Sequence, residues 1–254
     1  MLAHEIYGEV TDRPTLLIAH GLFGSAKNWR AISKRLADTR QVVTVDMRNH
    51  GESPFFASHS YPDMAGDLAA TLESLPIRGP AQVLGHSMGG KAAMTLALTR
   101  PDLVERLIVA DIAPVAYSHT QMHLLDAMRD LDLTAVETRG DADRALQQVV
   151  EDRGVRAFLL QSLDVKARAW RLNLDALAQD MDRILGFPDL DARYEGPTLF
   201  LSGAQSDYVR PSAREAIKPL FPKSYFAKIP NAGHWLHADN PAAFEAAVRI
   251  FLDR

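Results

Sequence analysis

Val83-Leu84-Gly85-His86-Ser87-Met88-Gly89-Gly90 sets one serine between Gly85 and Gly89, after the apolar run 81–84 and ahead of a helical pattern over 88–99. In that context G-x-S-x-G reads as a nucleophile elbow. The turn is tight enough to demand glycine two residues either side, and it lifts the Ser87 hydroxyl above the sheet edge. The helix that follows points its first free N–H groups at the same spot, where they would stabilise negative charge developing on an acyl oxygen. The motif alone recurs by chance; the strand before it and the helix after it give it weight.

A serine hydroxyl is a weak nucleophile, so the reading requires a base, an acid to orient that base, and donors for an oxyanion. Near the C-terminus, Ile229-Pro230-Asn231-Ala232-Gly233-His234-Trp235 is a short strand ending in a Gly-His loop. Asn240 then caps a helix that opens at Pro241 and runs to position 252. His234 is the expected base by its loop position, whereas His237, just before the helix, is expected to be a packing or surface residue. Towards the N-terminus the apolar strand 16–19 runs into His20-Gly21-Leu22. Such a loop presents a backbone N–H, so Leu22 and Met88 are the expected oxyanion donors. His20 and His86 are read as bracing residues. Two aspartates obey the chain order Ser, Asp, His: Asp111 at a strand end, and Asp207 in the loop 203–209.

Apolar strand candidates recur at 16–19, 41–46, 81–84, 107–111, 198–201 and 225–229, with helical patterns between them. This alternation implies an α/β chain with a mostly parallel sheet and helices on both faces. From Tyr117 to Phe187 the strands stop, and 120–131, 141–150, 155–162 and 170–184 read as helices. The expected organisation is a core built from 1–116 and 188–254 with a helical cap over 117–187.

Across 254 residues the formal net charge is only -4, which gives no basic footprint for nucleic acid. Cysteine is absent, so disulfides, thiolate metal sites and a cysteine nucleophile are excluded. The first nine residues lack a secretory signal pattern, and no run is long enough to span a membrane. A cytoplasmic protein, monomeric or a small homo-oligomer, is expected.

In order, the chain shows HGLFGS (20–25), DMRNHGESP (46–54), GHSMGG (85–90), VADIAP (109–114), LSGAQSDYV (201–209) and NAGHWLHADNP (231–241). Together these segments resemble the α/β-hydrolase superfamily over almost the whole chain. The pairing of DMRNHGESP with DIAP and GHWLHADNP is most similar to the small bacterial YbfF-type esterases. The resemblance implies an α/β-hydrolase fold with an all-helical cap inserted after the sixth strand. It also implies a serine esterase that cleaves short to medium acyl esters, and acyl thioesters such as acyl-CoA, through an acyl-enzyme, without metal or organic cofactor. In the common pattern the acid stands three residues after the glycine at 203, where this chain has Ser206. The YbfF-type relatives take the acid from the sixth strand, so Asp111 is preferred and Asp207 is the alternative.

Beneath the cap, Phe23, Trp29, Tyr208 and Trp235 are expected to line an apolar acyl pocket, together with Leu22, Met88, Met122, Leu125, Phe158 and Leu159. Arg48, Lys91, Arg129 and Arg168 could meet an anionic substrate, but a helix charge usually marks a solvated face. A hydrolase of a C–C bond or a lactone, a cofactor-free haloperoxidase, and a small-molecule receptor remain alternative readings of the same motifs.

Overall fold

Six apolar runs gather into one sheet, and a seventh strand that the sequence reading missed closes its edge. The computed structural model describes residues 1–254. Its strands are β1 (His4–Tyr7), β2 (Leu16–Ala19), β3 (Val42–Val45), β4 (Ala81–His86), β5 (Val104–Ala110), the two-residue pair β6 (Leu163–Asp164) and β7 (Ala169–Trp170), β8 (Thr198–Gly203) and β9 (Ser224–Ile229). The main sheet runs β1-β3-β2-β4-β5-β8-β9, parallel throughout except where β1 pairs antiparallel with β3. The strand leading to Asp111, sixth in the family's count, is the fifth of this chain.

The helices are α1 (Arg30–Leu36), α2 (Tyr61–Ser74), α3 (Met88–Thr99), α4 (Met122–Arg129), α5 (Arg139–Leu146), α6 (Arg153–Leu159), α7 (Leu174–Gln179), α8 (Met181–Leu185), α9 (Arg214–Leu220), α10 (Leu236–Asp239) and α11 (Pro241–Leu252). Strand side chains alternate between faces. Leu17, Ala19, Val83, Leu107 and Val109 therefore join α2 and α3 in one core, while Leu16, Ile18, Leu84, Ile108 and Ala110 join α1 and α11 in the other. With both faces covered, the central strands are buried end to end.

Helices α4 to α8 all fall in 117–187, between β5 and β8. The run expected as one helix over 170–184 is divided. Asn173 caps α7 by accepting the Ala176 N–H, and Asp180, buried between α7 and α8, accepts the His59 N–H. The β6–β7 ribbon is a second departure from the all-helical expectation. A small core of its own, including Ala142, Leu146 and Leu163, supports this region, yet Leu125, Leu159 and Met181 pack into the main core. No helix is long and apolar enough to cross a membrane.

Candidate active site

Ser87 sits between β4 and α3 with φ 52° and ψ -121°, a conformation that costs a non-glycine residue energy and persists only when its surroundings impose it. The surroundings do so from both sides. A Cβ on Gly85 would lie 2.2 Å from the Gly89 carbonyl oxygen, and one on Gly89 would lie 2.4 Å from that of His20. The Ser87 N–H donates to the Ala110 carbonyl at 2.9 Å, tying the elbow to the end of β5.

His234 Nε2 lies 3.1 Å from Ser87 Oγ, and His234 Nδ1 lies 2.8 Å from Asp111 Oδ2. Asp111 is fully buried just past the end of β5, in the left-handed region at φ 53°. Its other oxygen accepts the Gly203 N–H at 3.0 Å, and Ser206 Oγ donates to the oxygen that faces His234. Asp207 goes elsewhere: its carboxylate is exposed and its ion-pair partner is Arg210, at 4.0 Å. Two contacts fix the histidine. The Tyr208 ring stacks on the imidazole, with centroids 4.0 Å apart and planes at 19°, and His86 Nε2 donates to the His234 carbonyl at 2.8 Å. His237 instead stacks on Trp29, and burial pushes its pKa down to about 3.

The loop carrying Leu22 comes close to Ser87, since a Cβ on Gly21 would stand 3.1 Å from the serine Cβ. Neither the Leu22 N–H nor the Met88 N–H has a hydrogen-bond partner in the protein. The Phe23 N–H, by contrast, is taken by His50 Nε2 at 3.1 Å, and the Phe23 carbonyl accepts from Ser162 beyond α6. His50 Nδ1 donates to the Arg48 carbonyl, and His20 donates to the Gly21 carbonyl while accepting the Met47 N–H. Desolvation keeps these imidazoles neutral, with pKa values lowered to about 3 for His50 and about 4 for His20. Asp46 completes the brace by accepting the Ala26 and Glu52 N–H groups. The sequence reading left these roles of Asp46 and His50 unassigned, although both lie in the quoted DMRNHGESP segment.

A cavity of about 710 Å³ opens at Ser87. Leu22, Phe23, Trp29, Met88, Tyr208 and Trp235 all contribute to its wall, and Phe158 from α6 joins Trp235 there at a ring separation of 5.4 Å. Three expected pocket residues do not reach it: Leu125 and Leu159 are fully buried in the main core, and Met122 packs against that core. A neighbouring cavity of about 660 Å³ shares Tyr117, His119, Tyr208 and His234 with the first and carries Arg210 and Ser212.

Lys91 departs most from expectation. It is 1 % exposed, lines the larger cavity, and donates from Nζ to the Leu185 and Gly186 carbonyls; burial pushes its pKa down to about 7. The pattern of α3 held the signal. A helix apolar on all sides is buried, so its single charged residue is buried with it. Arg48 is also buried, paired with Asp67, whereas Arg129 meets Asp175 at the surface and Arg168 is exposed. No group of three or more His, Asp or Glu side chains is placed to hold a metal ion.

A serine on a strained strand-to-helix turn, hydrogen-bonded through histidine to an aspartate at the end of the next parallel strand, defines the α/β-hydrolase class. Residues 14–241 match the α/β hydrolase fold family, and the chain belongs to it. It is 46% identical over 250 residues to the mouse (Mus musculus) sn-1-specific diacylglycerol lipase ABHD11, covering 94% of this chain and 81% of that protein. It is 36% identical over 240 residues to esterase YbfF of Escherichia coli K12, covering 94% and 92%. Among solved structures it superposes on a marine microorganism esterase with a TM-score of 0.93 at 36% identity, over 98% of each chain.

Proposed function

We propose that this carboxylic ester hydrolase cleaves esters of short to medium acyl chains through a covalent acyl-enzyme on Ser87, with 117–187 acting as a cap over the acyl pocket. The observation that carries this reading is the unbroken hydrogen-bonded chain from Asp111 through His234 to Ser87, opening on a largely apolar cavity. Ser87 Oγ attacks the carbonyl carbon as His234 Nε2 takes its proton. The Asp111 carboxylate stabilises the resulting imidazolium and holds its tautomer. The Leu22 and Met88 N–H groups receive the oxyanion. Collapse of the tetrahedral intermediate expels the alcohol, which takes the proton from His234; a water then repeats the sequence and releases the acid. A thioester follows the same course with a thiol as leaving group. The diacylglycerol in the mouse relative's name is a carboxylic ester.

The test is fluorophosphonate labelling followed by a panel of p-nitrophenyl esters from acetate upward. Rapid modification of Ser87 with turnover of the acyl series is the expected result. Folded protein that neither labels nor turns over would favour a receptor on the same fold.

A further inference from the structure

Lys91 lies in the first turn of α3, four residues after Ser87 at its N-cap. Both side chains line the same cavity. Two of the three ammonium donors go to the Leu185 and Gly186 carbonyls at the end of α8, and the third has no partner. The nearest rings are Tyr117, 4.8 Å from Nζ to the centroid, and Tyr61 at 5.7 Å. No carboxylate pairs with the ammonium, and desolvation alone acts on it. A buried cation without a counter-ion is costly, and removing the charge while keeping the carbon chain would serve packing better. The wall of the same cavity also carries Gln121 and His119.

We propose that Lys91 is the counter-charge for a carboxylate at the far end of the acyl chain, so that monoesters of short dicarboxylic acids are preferred substrates. This rests on the Ser87 reading above. The scissile carbonyl sits at Ser87, the acyl methylenes lie along the apolar wall, and the terminal carboxylate accepts the free Lys91 N–H. Four residues, about 6 Å of helix axis, separate the two backbones, so a short diacid chain is the length to test.

The titratable groups facing Lys91 are Tyr61 from α2 and Tyr117 and His119 from the segment after β5; α8 offers only backbone carbonyls. Burial raises both tyrosines and lowers His119, so all three are neutral from pH 7 upward. Charge at this end of the cavity therefore changes through Lys91.

The experiment compares kcat/KM for monoethyl glutarate and ethyl pentanoate across pH 6 to 9, in the wild type, Lys91→Met and Lys91→Arg. Both esters use the same serine and histidine, so their ionisation cancels in the ratio. In the wild type the ratio of glutarate to pentanoate should fall at least tenfold as pH rises through about 7. Lys91→Met should lose at least tenfold more on the glutarate ester than on the pentanoate ester, and Lys91→Arg should retain the preference. A wild-type ratio flat across this range overturns the proposal and needs no variant to fold. Equal losses on both esters overturn it as well. Ethyl pentanoate reports separately on Ser87: cleavage with a flat ratio removes only the Lys91 assignment, whereas no cleavage of either ester removes the esterase reading beneath it.

Discussion

Ser206 donates its hydroxyl to the Asp111 carboxylate, on the same oxygen that faces His234 Nδ1. The position where the common pattern carries the acid thus holds a hydrogen-bond donor to the Asp111 carboxylate at the end of the neighbouring strand. Because β5 and β8 are adjacent and parallel, their C-terminal ends present two places from which one histidine can be reached. Asp111→Asn should lower kcat by about 10⁴, the loss expected when the imidazole is held in the wrong tautomer. Asp207→Asn, on an exposed carboxylate, should cost less than about tenfold. Adding Ser206→Asp to Asp111→Asn should return more than tenfold of the lost rate. Steady-state kinetics of the three proteins checks this, and a larger loss in Asp207→Asn than in Asp111→Asn would reverse the assignment.

Ser87→Ala should fold normally and lose activity down to the roughly 10³ to 10⁴ over water that binding and oxyanion donors alone provide. The alanine protein should also fail to label with fluorophosphonate. Retention of most of the esterase rate in a well-folded variant would exclude the acyl-enzyme on this residue.

Ser87 and His234, which the structure brings within 3.1 Å, were legible in the sequence because each lies in a short segment whose local geometry is self-imposed. The elbow needs Gly85 and Gly89, and the Gly-His loop follows directly from a strand. Elements that depend on distant partners were not legible. Strand β1, His4–Tyr7, has no apolar run and exists because its backbone pairs with β3 at the sheet edge. The break between α7 and α8 follows from Asp180 reaching His59, a contact across 121 positions. The burial of Lys91 does not follow from the habits of lysine alone; it follows from the helix around it, which carries no other charge and is buried almost throughout.

Gly89→Ala tests whether the elbow is as crowded as it is strained. The added methyl would meet the backbone carbonyls of His20 and Ala19 at 2.4 and 2.5 Å, and backbone cannot swing aside as a flexible side chain can. Overpacking of this kind should destabilise the fold by roughly 2 to 3 kcal/mol, read from urea midpoints, and displace the Leu22 loop enough to lower kcat as well. A variant as stable and as active as the wild type would show that the loop relaxes freely.

Buried histidines give the fold a defined acid limit. His20, His50, His59 and His237 have pKa values lowered to about 4, 3, 2 and 3, mainly by desolvation, and His86 is lowered well below its ordinary value for the same reason. Each is neutral in the folded protein, while in the unfolded chain each binds a proton below about pH 6.5. The unfolded state therefore holds more protons between pH 6.5 and 4. Stability is complete above that window with respect to these groups and is lost as pH falls through it. Lys91 adds no slope there, because below its folded pKa of about 7 the amine is protonated in both states. Each buried histidine contributes up to about 1.4 kcal/mol per pH unit, so the urea midpoint should fall gently from pH 7.5 to 6.5, where Lys91 takes up its proton in the fold and the unfolded histidines begin to take up theirs, and then drop steeply toward pH 5. His50→Gln, which keeps a polar group beside the Phe23 N–H but cannot titrate, should make the drop shallower. An unfolding midpoint independent of pH between 7.5 and 5 would mean that these rings take up protons without leaving the fold.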